Sequence, residues 1–104
     1  MIVEERTYTI APAQLGAFLR LYEQEGLKII QPILGNLIGY FTCDIGEINT
    51  VVHLWGYESH AERERRRGEL SRSDAWRAFT PKILPCIQHM QSRVLVPTSF
   101  SPLR

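Results

Sequence analysis

A histidine, an indole and a phenol stand on alternate positions in Val52-His53-Leu54-Trp55-Gly56-Tyr57. Successive side chains of a strand point to opposite faces, so His53, Trp55 and Tyr57 share one face and Val52 and Leu54 the other. Arg6 and Tyr8 share a face in the same way near the N-terminus, as do Tyr40 and Thr42 in a later strand-like run. Six residues are therefore the ligand-binding candidates: His53, Trp55, Tyr57, Arg6, Tyr8 and Tyr40. Aromatic walls with a few hydrogen-bonding groups are the usual lining of a small-molecule pocket. A histidine there can serve as general acid or base near neutral pH. An arginine can hold a carboxylate or a phenolate. The competing reading makes Trp55 and Tyr57 core or interface residues and His53 a satisfied buried histidine.

Other chemistry is thinly supported. His53, His60 and His89 lack metal-ligand spacing, and Cys43 and Cys86 form neither a CxxC nor a zinc pattern, so no metal is expected. No haem motif, glycine-rich phosphate loop or nucleophile triad stands in the chain, and no cofactor is expected. Cys43 and Cys86 read as reduced, buried thiols. Arg63, Arg65, Arg66 and Arg67 alternate with Glu62, Glu64 and Glu69, with Glu62–Arg66 and Arg65–Glu69 at i, i+4 spacing. That pattern favours a solvated, salt-bridged helix face over nucleic-acid binding. Arg63 is the exception, expected to fold back and fix its helix against the sheet. Arg6 with Glu4, two apart on a strand, reads equally as a structural ion pair with Arg93 or a partner chain and as a ligand clamp.

The elements that would position these groups read in order. Residues 2–10 form a strand. Pro12 then suits a first helical turn, and Leu15, Phe18, Leu19 and Tyr22 make an apolar stripe. Gly26 is expected to end or break that helix, and residues 27–34 form a short helix or turn. Residues 37–45 and 48–57 read as strands joined by a tight hairpin at Gly46-Glu47. Ser59-His60-Ala61-Glu62 has the S-x-x-E form of a capping box. Ser73-Asp74 caps a further helix carrying Trp76, Phe79, Ile83 and Ile87, which Pro81 and Pro85 should segment. Residues 92–97 read as the last strand, and residues 97–104 as an extended C-terminal tail.

The order β-α-β-β-α-β is the ferredoxin-like arrangement of an α+β protein, an antiparallel sheet with helices on one face. The uncovered face carries apolar groups, so a second copy packing sheet against sheet is expected, giving a homodimer in the form of a dimeric α+β barrel. In that arrangement Val52 and Leu54 meet the helices, and the six candidates line the barrel between the two sheets. The chain has 104 residues, 44% hydrophobic and 22% charged, which suits one domain over residues 1–104. A net charge of +1 gives no global field toward nucleic acid or an anionic membrane. No apolar run approaches a membrane span, and no secretory signal is evident, so a cytoplasmic location is expected.

Several segments together resemble the NIPSNAP family. They are Glu4-Glu5-Arg6-Thr7-Tyr8, Gly39-Tyr40-Phe41, His53 to Ser59 with Arg63 and Arg67, Asp74-Ala75-Trp76, and Phe100-Ser101-Pro102-Leu103. Glu5 departs from the aliphatic residue usual in the family, and Ser73-Asp74-Ala75-Trp76 lacks the Asp-Pro common before the tryptophan. The resemblance implies a dimerising ferredoxin-like domain and transfers no catalytic residues. Two functions follow from the sequence. One is binding of a small, partly aromatic or carboxylate-bearing molecule inside the barrel, with cofactor-independent chemistry as an extension. The other is a protein-interaction or scaffolding module with a filled interior. An open cavity reached by His53 favours the first, and a packed interior the second.

Overall fold

In a computed structural model covering Met1–Arg104, four strands form one antiparallel sheet: β1 (Ile2–Ile10), β2 (Asn36–Thr42), β3 (Thr50–Tyr57) and β4 (Ile87–Leu95). The spatial order is β2-β3-β1-β4. The helices are α1 (Leu15–Leu21), α2 (Leu27–Leu34), α3 (His60–Ser71) and α4 (Asp74–Ile83). This is the expected ferredoxin-like α+β fold. No helix is long and apolar enough to cross a membrane.

The first helical segment, α2 and α4 each lay an inward stripe on the sheet. Phe18 and Tyr22, Ile30 and Leu34, and Phe79 and Ile83 are each four residues apart and buried. The sheet answers with Ile2, Tyr8, Ile10, Val51, Trp55 and Tyr57 in the same core. Burying each large apolar side chain contributes about 1.5–3 kcal/mol.

Several sequence expectations change. Gly26 does not end the first helix, because it lies in a π-helical turn, Tyr22–Gly26, that runs on into α2. A Cβ on Gly26 would sit 2.6 Å from the Phe79 ring, so glycine serves the close approach of α4 there. The loop between β2 and β3 is not a tight hairpin but spans residues 43–49, with Gly46 at φ +119. It leaves Cys43 half-exposed, while Cys86 is buried. Pro81 stays inside α4, and Pro85 lies in a 3₁₀ turn, Leu84–Cys86, where its missing N–H is tolerated. The last strand begins at Ile87, so Ile87 belongs to β4 rather than to the preceding helix. After Pro97 the tail turns at Thr98–Ser101 instead of staying extended, and Ser101 and Leu103 flank a groove with Val3 and Leu54.

The expected caps form. Ser59 Oγ accepts from the Glu62 N–H at 3.1 Å, and Ser73 Oγ from the Trp76 N–H at 3.2 Å. The Glu62 carboxylate accepts in turn from the Glu58 N–H at 2.8 Å. Ser59→Ala should therefore cost about 1 kcal/mol, read as a lower denaturation midpoint. An unchanged midpoint would show that α3 does not depend on this cap.

Candidate functional site

The antiparallel register decides which side chains meet. Arg6 stands opposite His53 and Glu4 opposite Trp55 across β1 and β3. Tyr40 stands opposite His53 from β2, and Ser92 opposite Arg6 from β4. A bulge between Leu37 and Gly39 brings Leu37 and Tyr40 to the same face. The six candidates thus share one face, as their parity predicts.

That face is the one beneath the helices, which reverses the expectation of a site between two sheets. His53 is 1% exposed, Trp55 0% and Tyr57 2%, whereas Val52 and Leu54 lie half-buried on the open face. The cause is volume and polarity. The layer between sheet and helices takes the large rings, and the polar groups among them are met by arginines from α3. Leu70 marks the inward side of α3, and Arg63 and Arg67 lie seven and three residues before it, on the same side.

Glu4 is the centre of this layer. Its carboxylate is fully buried and accepts from Arg63 Nε and Nη2 at 3.0 Å, Arg6 Nη1 at 3.0 Å, Arg67 Nε at 3.4 Å and Ser92 Oγ at 2.5 Å. Burial alone would raise the Glu4 pKa. The bonds from Arg63 and Ser92 and the charges of Arg67 and Arg6 outweigh it and hold the carboxyl far below its usual range. Arg63 thereby fixes α3 to β1, the role expected of it. Arg93 pairs instead with Glu5, at 2.6 Å on the other face. Glu62–Arg66 pairs at 2.6 Å as expected, and Arg66 also donates to the Ile33 carbonyl.

Three guanidiniums around one carboxylate leave an excess of positive charge. Beside it stands His53. Trp55 Nε1 donates to His53 Nδ1 at 2.8 Å, which places the imidazole proton on Nε2. Burial pushes the His53 pKa down to about 3, and the charges of Arg6 and Arg67 push the same way. At neutral pH His53 is therefore a neutral N–H donor, with its one lone pair taken by Trp55. In this state the imidazole has no free lone pair with which to take a proton. Tyr40 stacks on His53 with ring centroids 4.6 Å apart, and Tyr8 meets its edge at 4.9 Å.

Several donors in this layer lack a well-aligned partner. His53 Nε2 has none at all, while Tyr22 and Tyr40 face each other and Tyr57 faces Arg67 without a well-aligned bond. Burial raises the pKa of all three phenols, so they too remain protonated donors. Tyr8 accepts from Arg6 Nε at 3.1 Å and keeps its own O–H to give. Unpaired buried donors are costly, and native proteins keep few of them.

A cavity of about 150 Å³ adjoins His53, Arg67 and Tyr22, with Arg6 and Tyr8 also in its lining. Its walls are Tyr22, Ile30, Trp76 and Ile83, and its mouth carries the exposed Leu84 and Met90. Of the six candidates, Arg6, Tyr8 and His53 line this cavity. Trp55 and Tyr57 stand behind it, and Tyr40 borders a neighbouring apolar hollow with Leu19 and Leu27. Sequence reasoning missed Arg67 and Tyr22 as site residues. The inward position of Arg67 was signalled by its spacing to Leu70, and that of Tyr22 by its place on the apolar stripe of the first helix.

The match to known proteins is extensive. The NIPSNAP family model covers residues 3–102. A NIPSNAP family protein of Agrobacterium tumefaciens has a solved structure with 48% identity and TM-score 0.97, covering 99% of this chain and 98% of its own. Protein NipSnap homolog 2 of Danio rerio is 36% identical over 67 residues, 64% of this chain and 23% of its own length. The chain thus spans about a quarter of that curated relative. A putative antibiotic biosynthesis monooxygenase from Nitrosomonas europaea shares the fold alone, at 7% identity and TM-score 0.68 over 93% of this chain and 98% of its own. On its sequence and its whole fold, the chain belongs to the NIPSNAP family.

Proposed function

We propose that this protein binds a small molecule in the cavity between sheet and helices of each subunit, and that two subunits pair through their open sheet faces. The observation that carries the binding reading is a set of buried donors without well-aligned partners beside a cavity of about 150 Å³. A filled structural core would have satisfied His53 or replaced it by an apolar residue. The scaffolding reading asks for a packed interior and leaves these donors unexplained. The groups around the cavity suit stabilisation of a negative or polar oxygen, and none of them stands ready to take a proton.

The test uses ring-sized probes: benzoate, benzamide, benzylamine and phenol. At least one should shift the amide resonances of Thr80, Ile83, Ile87 and Met90 in heteronuclear NMR. Thr80→Phe, which fills the cavity from α4, should abolish that response while preserving the fold. Silence from all four probes in the wild type would end the binding reading.

The dimer reading rests on apolar surface. Val52, Leu54, Phe41 and Leu95 lie on the open face, and Ile45, Ile48 and Phe100 are exposed nearby in loop and tail, Phe100 by 83%. Such groups on a chain of this size call for cover. A second copy would bury more than about 1,000 Å² in total. Light scattering should give twice the chain mass at micromolar concentration, and a stable monomer there would refute the pairing.

A further inference from the structure

Resting on that binding site, we propose that its ligand is a small, partly apolar carboxylic acid, its carboxylate held by Arg6 and Arg67 with His53 Nε2–H donating to it. Charge selects the head group. Arg6, Arg63 and Arg67 share the single carboxylate of Glu4, and the side chains of Arg6 and Arg67 remain one-fifth exposed where they line the cavity. An incoming anion completes the balance that Glu4 leaves unfinished.

Hydrogen bonding selects the same group. His53 Nε2 is buried without a partner in an almost fully enclosed side chain, and Arg67, beside the Tyr57 hydroxyl, makes no well-aligned bond from Nη2. The tautomer set by Trp55 makes His53 a donor at that atom. Guanidinium, imidazole N–H and tyrosine O–H in the cavity lining all offer hydrogen. A carboxylate accepts only, and a guanidinium fork suits its geometry. A primary amide of the same shape would turn N–H against N–H, and an ammonium would add charge to charge. The rest of the molecule must be apolar, because Trp76, Ile83, Leu84, Ile87 and Met90 surround the path to the mouth.

Titration of wild-type protein at pH 7 with benzoate and hexanoate, against benzamide, hexanamide and benzylamine, tests the assignment. The acids should bind about 10- to 100-fold more tightly than their amides, the range of a charge-assisted bond lost. Arg67→Met leaves Glu4 paired with Arg6 and Arg63, and should weaken the acids about tenfold or more while barely changing the amides. His53→Asn keeps an acceptor for Trp55, but its amide N–H stops short of the place of Nε2, and it should weaken the acids as well. Amides or benzylamine binding as tightly as the acids would overturn the acid assignment and leave the cavity a binding site. Indifference of the acids to Arg67→Met would overturn it too. Absence of binding by every probe would instead remove the site on which the assignment rests.

Discussion

Glu4→Gln should destabilise the protein by about 3–5 kcal/mol, the cost of breaking a buried charge cluster by removing one side. The glutamine fits the space but leaves Arg6, Arg63 and Arg67 facing each other without an anion, and it gives Ser92 a weaker acceptor. For a chain of this length each kcal/mol moves the melting temperature by about 4–8 °C. Asp74→Asn is the control. Its pair with Arg77 at 2.7 Å is exposed on both sides and contributes under about 1 kcal/mol. Calorimetry on the two variants should separate them by about eight degrees or more, as a difference of roughly 2 kcal/mol or more implies. Equal melting temperatures would show that the cluster does not hold α3 to β1.

Acid should weaken the fold in two stages. The folded His53 has a pKa of about 3, below the value near 6.5 of an unfolded histidine. The unfolded chain therefore takes up a proton that the folded chain refuses, so the contribution of His53 is present above pH 6.5 and is lost as pH falls toward 3. Across the window from pH 6.5 to 4.5 the loss amounts to about 2 kcal/mol. Below pH 4.5 Glu4 adds to it. Its folded pKa is depressed, so its contribution holds above the ordinary carboxyl pKa and declines as pH falls below that. Urea midpoints of the wild type should drop steeply between pH 6.5 and 4.5, and those of His53→Asn should not. Parallel profiles for the two proteins would mean that His53 charges freely in the folded state.

Strand parity placed Arg6, Tyr8, Tyr40, His53, Trp55 and Tyr57 on one face from sequence alone, because a period of two needs no tertiary information. It could not say which face the helices cover. Val52 and Leu54 are apolar and His53 is polar, so a rule that sends apolar groups beneath helices chooses the wrong side. The side was set by α3, whose Arg63 and Arg67 supply partners for Glu4 under the helices. Arg63 was expected to fold back, but in isolation Arg67 looks like part of a solvated stripe with Glu62 and Glu64. Only Leu70, on the same side, shows that the stripe faces inward. The bulge at Leu37–Gly39 and the π turn at Tyr22–Gly26 were not legible either, since both depend on packing against distant residues such as Phe79. The caps at Ser59 and Ser73 were legible, because a cap involves only neighbours within one turn.

The central claim is that the ligand lies between sheet and helices, not between the sheets of two subunits. A crystal structure of the protein grown with benzoate tests it most directly. The expected density is one benzoate per subunit, its carboxylate against Arg6, Arg67 and His53 and its ring against Trp76 and Ile83. Benzoate found instead on the open face beside Val52 and Leu54, or a cavity closed by its own side chains, would contradict it.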